Sequence, residues 1–197
     1  PKRILEHFIL MGTSTVSDIA KNIDVSLPTA AAALNDLMVH GLVKEVGKKE
    51  TSTGRIPMLY DLNPKAGYFI GANPEMSHLA LTATDFCGHP IVDKTSVPYH
   101  YENTVDNLEQ MGQILNQFID SLPVKREDIL NVCVNIAERV NAHEGKTYTI
   151  FSFNDEPLTD RISKMIDLPV CIENDTRSMT YAEFIKGSCR GLKDVIF

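Results

Sequence analysis

Apolar residues near the start of the chain repeat with the period of an amphipathic helix. Over residues 16–23 they fall at i, i+3, i+4 and i+7, which predicts a helix with one buried face. These apolar positions are Val16, Ile19, Ala20 and Ile23. Thr15 precedes the helix and Asp18 follows three residues later, so this pair predicts a capping box at its start.

A second helix is expected after the short break Asp24-Val25. Ser26 can cap it, and Pro28 is tolerated in the first turn because the N–H group there has no helical partner. Its inner face would consist of Leu27, Ala30, Leu34, Leu37 and Gly41. Earlier in the chain, apolar residues at 4, 5, 8 and 9 predict another helix that stops at Gly12. Two helices joined by so short a turn form the helix-turn-helix unit, whose second helix enters the DNA major groove.

The outward face of that second helix is small and uncharged, with neither Arg nor Lys. Asn35 can pair with an adenine edge, and Ala31 and Ala32 can meet thymine methyl groups. The alternative is that the alanine run simply favours a helix that packs under its neighbours.

Residues 42–46 and 58–62 predict the two strands of a β-hairpin, and Gly47-Lys48-Lys49 predicts a turn with two cations at its tip. Three helices followed by a hairpin correspond to the winged form of the motif, in which Lys48 and Lys49 would contact phosphate. Arg55 lies on a short flexible segment of this hairpin and suits a narrow minor groove. A solvated loop with an incidental Arg is the alternative. The candidate DNA-binding residues are Thr29, Ala31, Ala32, Asn35, Lys48, Lys49 and Arg55.

Charge is distributed unevenly along the chain. The whole chain has 19 Lys and Arg against 26 Asp and Glu, a net charge of −7. Residues 1–65 carry 8 basic and 7 acidic side chains, whereas the remainder carries 11 and 19. An acidic body repels DNA, so binding would be local to the first 65 residues and sensitive to salt. Few phosphate contacts per protomer favour a homodimer or a higher homo-oligomer.

The composition predicts a cytoplasmic protein without a membrane segment. There is no run of about 18 apolar residues, and the first residues do not resemble a signal peptide. The four cysteines are far apart and form no Cys-x-x-Cys pair, so reduced thiols are expected rather than disulfides or a zinc site. No metal or cofactor is predicted. Because the chain lacks an initiator Met and ends in an apolar run, we interpret it as a fragment of a longer protein.

Turn-forming residues 63–67 predict a domain boundary, with domains at 1–63 and 64–197. In the second domain, three strands are expected at 68–71, 78–84 and 91–98, followed by a helix at 104–121. Strands at 129–136 and 168–172 then alternate with helices at 158–166 and 177–186. A strand meander followed by alternating helices and strands predicts an α/β lobe with a mixed sheet.

Several short motifs in a fixed order resemble the ROK family of repressors, open reading frames and sugar kinases. They are Gly54-Arg55-x-Pro57, Asn63-Pro64-x-Ala66-Gly67, Pro157-Leu158, Ile172-Glu173-Asn174-Asp175, Ala182-Glu183 and Gly187-x-x-x-Gly191. The resemblance covers essentially the whole chain. It implies an N-terminal winged helix-turn-helix domain followed by an actin-like, ribonuclease-H-like α/β lobe that binds a sugar in its cleft.

Kinase members of that family carry Asp-x-Gly-Gly-Thr in the first hairpin, where glycines let backbone N–H groups approach nucleotide phosphates. Residues 72–77 differ from this pattern: Ala72 replaces the Asp, Pro74 removes a donor and Glu75 adds a negative charge. Phosphoryl transfer depends on positioning and charge neutralisation. We therefore expect an ordinary hairpin turn, no ATP binding there and no kinase activity.

The resemblance implies sugar contacts from Asn174 and Asp175, the latter being the general base of kinase members. Without ATP, this carboxylate can only hydrogen-bond a hydroxyl, and Asn174 offers both a donor and an acceptor. The alternative is that both residues merely cap the following helix. Glu138 and Arg139 replace small residues of the family loop, so they either alter the pocket or form a solvated pair on its rim.

These features predict a sugar-responsive repressor of carbohydrate-metabolism genes. Its partners would be a double-stranded DNA operator and a sugar or sugar-phosphate effector. Two alternatives remain: a ROK-type sugar kinase that retains a DNA-binding head, and a regulator that responds to a protein partner.

Overall fold

The computed structural model describes residues 1–49 and 56–189, together with 192, 194 and 196. The chain forms two compact units, Pro1–Ala66 and Gly67–Phe197, here called the N-terminal and the C-terminal unit. The domain boundary predicted from the sequence lies three residues earlier, after residue 63. Among the described residues, no helix combines the length and the apolar character that crossing a bilayer requires.

The N-terminal unit consists of three helices and a two-stranded hairpin. Its elements are α1 (Lys2–Met11), α2 (Val16–Asn22), α3 (Leu27–Val39), β1 (Val43–Lys48) and β2 (Met58–Leu62). The predicted capping box is confirmed, because the Thr15 side chain accepts from the Asp18 N–H while the Asp18 side chain accepts from the Thr15 N–H. Ser26 caps α3 as expected, accepting from the Thr29 N–H. Asp24 adopts a positive φ of 52°, which lets the chain turn sharply between α2 and α3.

Apolar side chains of all five elements meet in one core. The buried members include Ile4, Phe8, Ile19, Ala30, Leu34, Leu37, Val43 and Leu62. The hairpin is also joined to the start of α2, because the backbones of Ser14 and Tyr60 exchange hydrogen bonds of 3.0 and 2.9 Å. The hairpin is therefore fixed to the helices by both packing and pairing.

The predicted turn at Gly47-Lys48-Lys49 is wrong. Gly47 and Lys48 pair with Leu59 and Met58 in the hairpin ladder, and the Lys49 N–H donates to the Pro57 carbonyl at 2.9 Å. Gly47 has a φ of 143°, and the register shifts between Glu45 and Gly47. The glycine thus forms a β-bulge that lets the strand continue, instead of a turn that ends it.

The C-terminal unit is a mixed α/β fold with a central five-stranded sheet. Its elements are β3 (Tyr68–Pro74), β4 (His78–Asp85), β5 (Pro90–Pro98), α4 (Val105–Asp120), β6 (Ile129–Ile136), β7 (Val140–Asn141), β8 (Lys146–Thr147), α5 (Leu158–Ile166), β9 (Val170–Asn174) and α6 (Asp175–Ile185). The strand order is β5-β4-β3-β6-β9. The first three strands are antiparallel, whereas β3, β6 and β9 run parallel, which confirms the predicted mixed sheet.

The main core lies where α4 and α5 pack with alternate residues of the sheet strands. Fully buried members include Leu81, Leu108, Met111, Leu115, Val132, Val134, Ile162 and Ile166. Gly112 of α4 lies so close to Met165 that a Cβ there would be 2.8 Å from its sulfur. Because β6 and β9 are parallel, their carboxyl ends meet at one edge, the edge at which open α/β sheets bind ligands.

Candidate functional site

The outward face of α3 carries four of the predicted DNA-binding residues. Thr29, Ala31, Ala32 and Asn35 are exposed, while Ala30, Leu34 and Leu37 on the other side of the helix are buried. Thr29 is restrained by its hydroxyl, which lies 2.7 Å from the Ser26 hydroxyl. The face therefore presents short side chains on a helix whose N-terminus is capped.

The cations predicted to contact phosphate, Lys48 and Lys49, have different surroundings. Lys48 is exposed on β1. The Lys49 ammonium lies 3.7 Å from the Asp18 carboxylate, so it is paired at the start of α2. Hydrogen bonds from Thr15 and the charge of Lys49 lower the pKa of Asp18, although burial opposes them. Arg55 falls outside the described residues.

A buried hydrogen-bond chain supports the junction between α1 and α2. The His7 Nε2 lies 2.8 Å from the Ser14 hydroxyl, which donates to the Gly12 carbonyl at 3.0 Å. Since that hydroxyl proton is already used, Nε2 must carry the proton and donate. Burial lowers the pKa of His7, while the charge of Asp18 acts in the opposite direction.

The second candidate site lies where β9 passes into α6. The Asn174 side chain caps the helix, because its Oδ1 accepts from the Arg177 N–H at 2.9 Å. Its amide donates to the Glu138 carbonyl at 3.0 Å and to Asp175 Oδ1 at 3.2 Å. The structure thus shows Asn174 as the cap of α6, and both of its amide donors are occupied. Sugar contact by this residue stays a prediction.

Asp175 keeps one acceptor available. Its Oδ1 accepts from the Thr176 N–H at 2.7 Å, whereas its Oδ2 has no hydrogen-bond partner among the described residues. The side chain is half-buried. Because Oδ1 is held by the Thr176 N–H, the carboxylate has a fixed orientation, and Oδ2 is suited to accept from a ligand hydroxyl.

Glu138 and Arg139 do not form a solvated pair. The Glu138 carboxylate accepts from the Ile150 N–H at 2.8 Å and from both the N–H and the hydroxyl of Thr149. The Arg139 guanidinium lies 5.4 Å from the centre of the Tyr148 ring. Glu138 therefore holds residues 149 and 150, because their backbone donors require an acceptor, whereas Arg139 contacts only the exposed Tyr148 ring of this segment.

Asn103 holds the same segment from another direction. Its Oδ1 accepts from the Phe151 N–H at 2.7 Å, and its amide donates to the Thr149 carbonyl at 3.1 Å. Phe151 is buried with a φ of 56°, a strained conformation for an aromatic residue. Strain of this kind is retained where the surroundings fix the chain, often beside a binding site.

Tyr101 lies near these residues, although no sequence motif points to it. Its hydroxyl is buried without a hydrogen-bond partner among the described residues, and its ring makes an edge contact with Phe151 at 5.5 Å. Burial raises the pKa of Tyr101, and the charges of Glu138 and Asp175 add to this rise. These residues are too far apart in the sequence for any motif to connect them.

The first hairpin of the C-terminal unit is formed by β3 and β4. β3 continues through Pro74, and Ala72 is completely buried opposite Leu81. The Glu75 carboxylate accepts from the Asn73 amide at 3.3 Å and lies 3.3 Å from the His78 ring.

Comparison with known proteins identifies the class of protein that this fold defines. The ROK family model matches residues 80–197. The chain therefore belongs to the ROK family.

Curated relatives of the chain are named xylose repressors. That of Bacillus spizizenii (strain ATCC 23059 / NRRL B-14472 / W23) is 23% identical over 100% of this chain and 51% of its own length. That of Staphylococcus xylosus is 27% identical over 88% of this chain and 45% of its own length. The chain thus spans about half the length of these relatives.

Solved structures share the fold. A ROK family transcriptional regulator, described as a homologue of the E. coli MLC protein, has a TM-score of 0.70 at 18% identity, over 93% of this chain and 47% of its own. A ROK family glucokinase from Streptomyces griseus was solved in complex with glucose and AMPPNP. It has a TM-score of 0.51 at 20% identity, over 64% of this chain and 38% of its own. Regulators and sugar kinases thus share the mixed α/β fold.

Proposed function

We propose that this protein is a DNA-binding transcriptional regulator, a sugar-responsive repressor of carbohydrate-metabolism genes. The observation that carries the proposal is the exposed face of α3, which follows a tight turn after α2 and presents only small or amide side chains at its centre. Relatives named xylose repressors match along nearly the full length of the chain, which supports the same function.

In this proposal the N-terminal unit is a winged helix-turn-helix domain. The α3 face enters the major groove, where Asn35 pairs with a base edge and Ala31 and Ala32 contact methyl groups. The hairpin is the wing, with Lys48 contacting phosphate. Lys49 must exchange its pairing with Asp18 for a phosphate, so it contributes less than Lys48.

The C-terminal unit is then an actin-like, ribonuclease-H-like lobe that binds the effector sugar at the carboxyl edge of β6 and β9. Asp175 Oδ2 accepts from a sugar hydroxyl, while Asn174 holds Asp175 and the Glu138 backbone in place. Binding of the sugar must favour one of two global states of the repressor to alter its affinity for DNA.

A sugar kinase is the alternative favoured by the shared fold. The hairpin between β3 and β4 argues against it, because Ala72 and Pro74 supply no carboxylate and no N–H group where the kinase pattern has Asp and Gly. Glu75 adds a charge that repels phosphate. An ATP-dependent rise in melting temperature together with phosphorylation of a sugar would establish the kinase instead.

A gel shift on the DNA upstream of its own gene, with and without a panel of sugars, tests the proposal. We expect a retarded complex that one sugar, tested first as xylose, releases. Binding that no sugar changes, in a protein whose melting temperature no sugar shifts, would favour a regulator that responds to a protein partner. Failure to retard any fragment from a genomic library would refute the DNA-binding proposal.

A further inference from the structure

We propose that the turn after β4 is a site for a borderline transition-metal ion of the Zn²⁺ class. A carboxylate oxygen of Asp85, the thiol sulfur of Cys87 and a ring nitrogen of His89 all lie within 4.8 Å of one another. These residues belong neither to the α3 face nor to the edge formed by β6 and β9, and the inference does not depend on either.

The backbone of the turn holds the three side chains together. The Gly88 N–H donates to the Asp85 carbonyl and the Asp85 N–H to the His89 carbonyl, both at 3.0 Å. Gly88 has a φ of 77°, which closes the turn without strain. Because all three donors come from five consecutive residues of a closed turn, little conformational freedom remains to be lost on binding a metal.

The Asp85 carboxylate is oriented as a ligand requires. Its Oδ1 accepts from the N–H groups of Cys87 at 2.8 Å and His89 at 3.0 Å. Its Oδ2 is thereby directed at the His89 Nδ1, 3.2 Å away. Hydrogen bonds to the non-coordinating oxygen are a usual way of fixing a carboxylate in a metal site.

The donor set selects the kind of metal. A carboxylate oxygen, a thiolate and an imidazole together suit Zn²⁺ and related ions, whereas Ca²⁺ and Mg²⁺ prefer oxygen donors alone. Tetrahedral bonds of about 2.0–2.3 Å place ligand atoms roughly 3.3–3.8 Å apart, so small side-chain rotations bring the three donors to that geometry. Water would occupy the fourth position.

Charge both favours and limits binding. Asp85 is mostly buried, with 13% of its side chain exposed, and together with a Cys87 thiolate it would give two negative charges to a divalent ion. The Lys186 ammonium lies 3.4 Å from the Cys87 carbonyl and opposes the ion. We therefore expect one site of moderate affinity.

Titration of the metal-free protein with Co²⁺ tests the site directly, followed by displacement with Zn²⁺. We expect one equivalent of Co²⁺ to produce a thiolate-to-cobalt charge-transfer band that Zn²⁺ abolishes. Cys87→Ser should remove the band, and His89→Gln should weaken Zn²⁺ binding at least tenfold in calorimetry. His89 is exposed, so its variant should fold normally, which circular dichroism checks.

Matched controls exclude the other thiols and imidazoles. Cys189→Ser and His78→Gln should leave the band unchanged, as should a Cys133→Ser/Cys171→Ser double variant of the neighbouring thiols on β6 and β9. Absence of a band, its survival in Cys87→Ser, or its loss only in the double variant would each overturn the proposal. Unchanged Zn²⁺ affinity in His89→Gln would do the same.

Discussion

His7 gives the N-terminal unit a pH dependence that can be assigned to one side chain. Burial lowers its pKa, so below the usual value of about 6.5 the unfolded chain takes up a proton that the folded unit resists. Neutral His7 therefore makes its full contribution to the free energy of unfolding above about pH 6.5. This contribution is lost as the pH falls towards the pKa of His7 in the folded unit. Urea unfolding of this unit, followed by NMR between pH 8 and 5, should therefore show a declining free energy of unfolding.

His7→Gln should flatten this decline, because Gln can still donate to Ser14 but does not titrate in the range. Asp18 does not confuse the result, since its lowered pKa affects stability only below about pH 4. Equal pH slopes in the two proteins would contradict the assignment to His7.

Substitution of Asp175 tests the proposed sugar site at a single carboxylate. Asp175→Asn keeps Oδ1, which accepts from the Thr176 N–H, but removes the charge and converts the available oxygen to an amide. We expect the free energy of unfolding to change by less than about 1 kcal/mol and affinity for the effector sugar to fall at least tenfold. Asp160→Asn, an exposed acid in the first turn of α5, is the matched control. Equal sugar affinity in both variants would remove Asp175 from the site.

Interactions between near neighbours in sequence were predictable residue by residue. Thr15 and Asp18 are three residues apart, so their capping box follows from spacing alone. The role of Glu138 was not predictable, because its partners at residues 149 and 150 lie 11 and 12 positions away and donate mainly from the backbone. A backbone donor has no signature in the sequence.

At the scale of elements, α3 supplies the sharpest test of DNA binding. Ala32 is exposed and in mid-helix, so Ala32→Glu should change the free energy of unfolding by no more than about 0.5 kcal/mol. The added charge would face phosphate in the proposed complex, so DNA affinity measured by fluorescence anisotropy should fall at least tenfold. Met11→Glu, which adds the same charge to an exposed position of α1, should retain nearly full affinity. Similar losses in both variants would mean that α3 has no special role.

The periodicity of apolar residues predicts whether a segment is a helix or a strand. It does not predict every boundary of these elements, and it does not predict which strands pair. The helix α2 ends one residue before the predicted bound, and α3 begins directly after its predicted cap Ser26. The predicted inner face of α3 is confirmed at Ala30, Leu34 and Leu37. It is wrong at Leu27, which is 54% exposed in the first turn. The sequence predicts a turn at Gly47-Lys48-Lys49, yet Gly47 pairs with Leu59 and the strand continues through it. The order β5-β4-β3-β6-β9 depends on contacts between distant strands, which alternation along one strand does not specify.

At the scale of the whole molecule, charge distribution decides how DNA can be approached. The remainder after residue 65 carries 19 acidic against 11 basic side chains, so in the proposed repressor it would repel DNA and leave attraction to a few cations of the N-terminal unit. The logarithm of the DNA association constant should therefore fall linearly with the logarithm of the salt concentration.

Lys48 should account for a defined part of that slope. Each phosphate neutralised contributes a slope of roughly −0.9, so Lys48→Gln should make the slope shallower by about this amount per bound protomer. Lys65→Gln removes the same charge from an exposed position outside the hairpin and should leave the slope nearly unchanged. A change of about 1.8 per complex in Lys48→Gln would also show that two protomers contact the operator, whereas equal slopes in the two variants would exclude Lys48 as a phosphate contact.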